Sequence, residues 1–104
     1  MSIYEGRINN YNDLVKEGIV IVDFYSERCV PCKMFSMVLE KIHYQLPFLN
    51  IVKVNSSKYP EISQENKVGC FPTILFLKDG EELDRHLGFM DVDTVIRKLR
   101  QIIK

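Results

Sequence analysis

Tryptophan is absent from this chain, and cysteine, proline and glycine are scarce, at three, four and five in 104 residues. Neither sign of charge is in excess, because fourteen lysines and arginines meet fourteen aspartates and glutamates. Such a balance provides no electrostatic hold on nucleic acid or on an anionic membrane. No apolar run approaches the roughly 20 residues of a membrane-spanning helix. The segment from Met1 to Arg7 lacks the apolar stretch of a secretory signal, so a cytoplasmic location is expected. Three cysteines with His43 and His86, two histidines that read as exposed, fall short of the four spaced ligands of a closed zinc site, so no metal is expected. No G-x-G-x-x-G occurs, and no cofactor is expected to reside in the chain. Repeats, low-complexity stretches and linkers are also missing, which points to one domain over residues 1–104. What is present is ordinary for a globular core, with 46% hydrophobic and 27% charged residues.

Against that background Cys29-Val30-Pro31-Cys32 stands out. It falls where an apolar run, Ile19 to Tyr25, gives way to a helix-like run, Lys33 to Leu46. Both sulfurs are therefore expected in the first turn of a helix, where backbone N–H groups lack intrahelical partners and the dipole favours negative charge. A thiol placed there ionises more readily, and the thiolate is the form that attacks disulfides. A C-x-x-C between strand and helix in a chain without a signal reads as a redox motif. Cys29, at the helix mouth, is the expected nucleophile. Cys32, one turn inward, is the expected resolving thiol. Pro31 suits the first helical turn, where its missing N–H costs nothing, and Val30 covers part of the site with apolar surface.

The rest of the chain reads as alternating helices and strands. Asn10 to Lys16 is a weak helix stopped at Gly18. Ile19 to Tyr25 is a strand buried on both faces. Phe35, Val38, Leu39, Ile42 and Leu46 form one helical face, ended by Pro47. Asn50 to Asn55 is a short strand, and Tyr59 to Asn66 a short helix begun by Pro60. Thr73 to Leu77 is a second buried strand. Asp79-Gly80 is a hairpin turn that returns Glu82 to Leu87 antiparallel. Asp91 caps a last helix with an apolar stripe of Val92, Val95, Ile96, Leu99, Ile102 and Ile103. With a minor strand at Ile3, this order predicts an α/β fold. Early crossovers imply parallel pairing and the late hairpin adds an antiparallel edge, giving a small mixed central sheet with helices on both faces.

Val22-Asp23-Phe24-Tyr25-Ser26-Glu27-Arg28-Cys29-Val30-Pro31-Cys32-Lys33 resembles the active-site segment of the thioredoxin family, V-D-F-W-A-x-W-C-G-P-C-K. Val68-Gly69-Cys70-Phe71-Pro72-Thr73 is similar to the family's cis-proline loop, and Lys78-Asp79-Gly80-Glu81 to its hairpin. Gly88 falls where a family glycine lines the substrate groove, and Lys53 matches in its strand. These motifs lie in register along essentially the whole chain. The departures are Tyr25 and Arg28 at positions where tryptophan is usual, Val30 for glycine, and Met37 for a helix-kinking proline.

The resemblance implies the thioredoxin fold and a thiol–disulfide oxidoreductase that reduces protein disulfides through a mixed disulfide. Its partners would be disulfide-containing proteins and a reductase of the thioredoxin-reductase type, as in electron transport. A monomer is expected. Asp23, by alternation on one face with Ile19, Ile21 and Tyr25, would accept the proton of Cys32, with Lys53 tuning it. The alternatives are an Asp23 that reaches solvent at the strand end and a Lys53 that faces water. About 5–6% of X–Pro bonds in folded proteins are cis, so the residues alone point to a trans Pro72. The resemblance implies cis, with Phe71 backbone open to pair with an extended substrate. Arg28 would favour the Cys29 thiolate, or is simply a solvated arginine. Cys70 is either an exposed regulatory thiol able to link a dimer on oxidation or a small buried hydrophobe. Competing functions are a specialised member with a dedicated partner, a binding adaptor without redox turnover, and a disulfide isomerase. The adaptor would usually lack a cysteine, and the isomerase would usually carry a histidine inside the motif.

Overall fold

The computed structural model describes residues 3–103; Met1, Ser2 and Lys104 of the expected domain, including the start of the segment read for a signal, lie outside the described residues. The elements in order are β1 (Ile3–Glu5), α1 (Tyr11–Val15), β2 (Ile19–Tyr25), α2 (Val30–Gln45), β3 (Asn50–Asn55), α3 (Pro60–Glu65), β4 (Thr73–Lys78), β5 (Glu81–Leu87) and α4 (Val92–Ile103). The strands form one five-stranded sheet in the order β1-β3-β2-β4-β5.

β3 runs parallel to both β1 and β2, as crossover connections through helices require. The antiparallel part is wider than a late hairpin would make it, because β4 pairs antiparallel with β2 as well as with β5. Its start, Thr73, lies opposite Phe24, at the end of the sheet where β2 finishes. The chain therefore leaves β3 and re-enters at the same end after the six-residue α3. At about 1.5 Å per residue such a helix is too short to carry the chain back along a strand. This topology brings the loop after β2 and the loop before β4 together. The β4–β5 turn uses Asp79 at φ +50° and Gly80 at φ +84°, the left-handed pair of a tight hairpin.

Two apolar layers sandwich the sheet. On one face Ile21, Ile51, Ile74 and Phe76 pack against Phe35, Val38, Leu39 and Ile42 of α2 and Val95 and Leu99 of α4. On the other, Val20, Val22, Phe24, Val52, Val54, Leu75 and Leu77 meet Tyr11 and Val15 of α1 and Ile62 of α3. The double burial of β2 explains why it reads as an apolar run interrupted only by Asp23. Two readings need correction. α2 begins at Val30, so Cys29 is its N-cap and lies just outside the helix. His43 and His86 are half-buried rather than exposed, with His43 Nδ1 enclosed and His86 Nε2 3.1 Å from the Phe89 carbonyl.

Candidate active site

The site is built where β2 ends and α2 begins. Ser26, Glu27 and Arg28 link the two, and Arg28 takes φ +63°, a left-handed conformation uncommon for a residue with a side chain. That turn delivers Cys29 to the N-cap in an extended conformation, φ −110° and ψ 108°. Its sulfur accepts a hydrogen bond from the Cys32 backbone N–H at 3.2 Å, which satisfies one of the orphan donors of the helix start. Pro31, in the first turn, has no N–H to leave unpaired. Cys29 and Cys32 are joined as a disulfide, with Cα atoms 5.2 Å apart. The two sulfurs differ in access: Cys29 is half-buried, whereas Cys32 is only 4% exposed. Val30 projects beside them, 67% exposed.

The second loop closes over the first. The Phe71–Pro72 peptide bond is cis, and the Phe71 carbonyl oxygen lies 3.9 Å from Cys29 Sγ. Pro72 is buried, and its own carbonyl accepts from the Gly88 N–H at 2.8 Å, so Gly88 is joined to this loop. Thr73 Oγ1 donates to the Cys70 carbonyl at 2.7 Å. The Cys70 thiol itself is exposed, with its sulfur 3.8 Å from Thr73 Oγ1.

Within the sheet, Asp23 and Lys53 are direct neighbours in the β2–β3 register and so share the face that α2 covers. Asp23 is fully buried, and neither carboxylate oxygen has a hydrogen-bond partner among the described residues. Burial pushes its pKa up to about 7; the Lys53 charge pulls it down and the Glu5 charge pushes it up. Lys53 is half-buried and lines an open cleft beside Cys32. Its Nζ donates to Ser36 Oγ at 2.6 Å and stands 5.2 Å from the Tyr25 ring centroid. Tyr25 in turn donates to Glu5 Oε1 at 3.2 Å, and burial together with the Glu5 charge raises its pKa to about 12. Ser36 escaped the sequence reading. The signal was available in its spacing, four residues after Cys32 and hence on the same helical face.

Cys29, Val30, Pro31 and Cys32 thus meet Phe71 at one disulfide, with Pro72 and Gly88 bonded within the same loop region, and Arg28 and Lys53 on the cleft that Cys32 lines. Cys70 lies in the same loop as Phe71. Among the described residues no group of three or more histidines, cysteines and acids is placed to hold a metal.

A family model described as Thioredoxin matches residues 3–101. The thioredoxin of Chlamydia caviae is 38% identical over 92 residues, covering 88% of this chain and 90% of its own. That of Chlamydia trachomatis is 38% identical over 88 residues, covering 85% and 86%. Among solved structures, one on the thiol resolving mechanism of yeast mitochondrial 1-Cys peroxiredoxin via glutathione/thioredoxin systems contains a similar chain. It superposes with a TM-score of 0.85 at 25% identity over 96% of this chain and 95% of that one.

Proposed function

The chain belongs to the thioredoxin family and is a thiol–disulfide oxidoreductase, and on that premise we propose how its residues divide the work. The observation that carries the reading is the unequal access of the two sulfurs, Cys29 at the open N-cap and Cys32 shielded beneath it.

In the reducing direction the Cys29 thiolate attacks one sulfur of a substrate disulfide. A mixed disulfide forms, and the first substrate thiolate leaves and takes up a proton. Cys32 then gives its proton to the Asp23 carboxylate and attacks Cys29 Sγ. The Cys29–Cys32 disulfide forms, the second substrate thiol departs, and two electrons have passed to the substrate. A base with a pKa near 7 suits this step, because it is both partly ionised and basic enough at neutral pH. Lys53 keeps part of that carboxylate charged, and Ser36 holds Lys53 in place. The Phe71 carbonyl beside Cys29 offers an acceptor to an extended substrate backbone, and Val30 an apolar contact.

The partners are disulfide-containing proteins and a separate reductase that returns the disulfide to the dithiol. We place the protein in the cytoplasm as a monomer. An exposed free thiol such as Cys70 persists in a reducing compartment and would be captured in an oxidising one. The test is reductase-coupled turnover of a protein disulfide by the wild type and by Cys29→Ser. Turnover is expected to vanish in the variant. Turnover absent from both proteins would return the chain to the binding-adaptor class, and turnover undiminished in Cys29→Ser would remove Cys29 as the nucleophile.

A further inference from the structure

A cleft of about 290 Å³ opens beside Cys32, between the β2–α2 turn and the start of α2. Its wall includes Arg28, Lys33 and Lys53 against a single carboxylate, Glu27. Tyr25 forms part of the wall, and its ring is tied down by Lys53 and Glu5. The cations are not equivalent. Lys53 is engaged by Ser36. Arg28 and Lys33 are exposed, and neither side chain has an ion pair or hydrogen bond among the described residues. The one opposing charge, Glu27, already accepts from Asn55 Nδ2 at 3.3 Å. Two unpartnered cations therefore border an open cleft that Cys32 also lines, and Arg28 directly precedes Cys29 in the chain.

We propose that this cleft receives a carboxylate side chain of the polypeptide whose disulfide is being reduced, so that acidic residues near the substrate cysteine are selected. A guanidinium presents a planar fork that matches a carboxylate, and the Lys33 ammonium adds a second charge from the helix start. A disulfide-bonded segment laid against Phe71 and Cys29 has its neighbouring residues within reach of Arg28. The selectivity rests on the redox reading above, since the carboxylate is held only while its disulfide is engaged.

The test compares two disulfide-bonded peptides that differ only in a glutamate or a glutamine two residues from one cysteine. With the wild type at low salt, kcat/KM for the glutamate peptide is expected to be about two- to fivefold higher, and the gap to close at high salt. Arg28→Ala should bring the ratio close to one. Arg28→Glu should reverse the preference when a lysine peptide replaces the glutamate peptide. The ratio is the readout because a change in Cys29 reactivity would alter both peptides alike. A wild-type ratio of one, or a ratio that survives both Arg28→Ala and Lys33→Ala, overturns the proposal. Failure of the wild type to reduce either peptide would overturn the redox reading itself.

Discussion

Both oxygens of Asp23 are enclosed without a donor, so ionising this residue works against the folded state. Its folded pKa, about 7, lies above the ordinary value of 3.8, which fixes the sign of the pH dependence. The stability of the neutral form is fully present below pH 4 and is lost as pH rises through 7, by an amount on the order of 4 kcal/mol. Asp23→Asn removes that dependence. Denaturant midpoints measured from pH 4 to pH 8 should show the variant gaining on the wild type as pH rises. A constant difference across the range would mean that Asp23 is not raised. Cys70 presents the other residue-scale question. Its thiol is exposed, so it should alkylate in the native protein, and mild oxidation should give a dimer that Cys70→Ser abolishes. Resistance to alkylation until unfolding would exclude that switch. Asp23 was legible because a lone carboxylate breaks an apolar strand. The exposure of Cys70 was not legible, since a free cysteine suits a core and a surface equally well. Nor was the left-handed Arg28, because nothing local forces a positive φ on an arginine.

At the scale of elements, β2 and β3 were readable to the residue, since both are short apolar runs between clear breaks. The start of α2 was not, because it depends on a sulfur acting as the cap, and cysteine carries no general capping preference. The orientation of β4 was also hidden, since it follows from where the chain re-enters the sheet rather than from any pattern within the strand. The end of β1 carries a constraint of the same kind. Gly6 donates its N–H to the Lys53 carbonyl at 2.7 Å, and this brings it against β3. A Cβ at Gly6 would lie 2.9 Å from Val54 Cγ2 and 3.0 Å from Val52 Cγ1, both on fully buried valines. Gly6→Ala should therefore destabilise the protein by about 1–3 kcal/mol, read as a lower denaturant midpoint. An unchanged midpoint would show that β1 shifts freely on the edge of the sheet.

For the whole molecule, the redox pair and the fold are linked thermodynamically, because a disulfide that stabilises the folded chain is correspondingly hard to reduce. Val30-Pro31 places no cation between the two sulfurs to hold a thiolate, and Arg28 places one just outside. The reduction potential is expected nearer about −270 mV than −180 mV, values separated by about 4 kcal/mol for two electrons. The oxidised form should then resist denaturant better than the dithiol, and the reverse order would assign the protein to the oxidising class. The architecture was legible because several motifs in register constrain one topology together. The cationic cleft was not, since it exists only through how Tyr25, Arg28 and α2 sit around a gap. The central claim is that Cys29 attacks and Cys32 resolves, and it is tested most directly by trapping. Cys32→Ser, reduced and mixed with a disulfide-bonded protein, should accumulate a stable mixed disulfide that mass spectrometry locates on Cys29. An adduct found instead on Cys70, or one that forms only through Cys32 in the Cys29→Ser variant, would contradict the account.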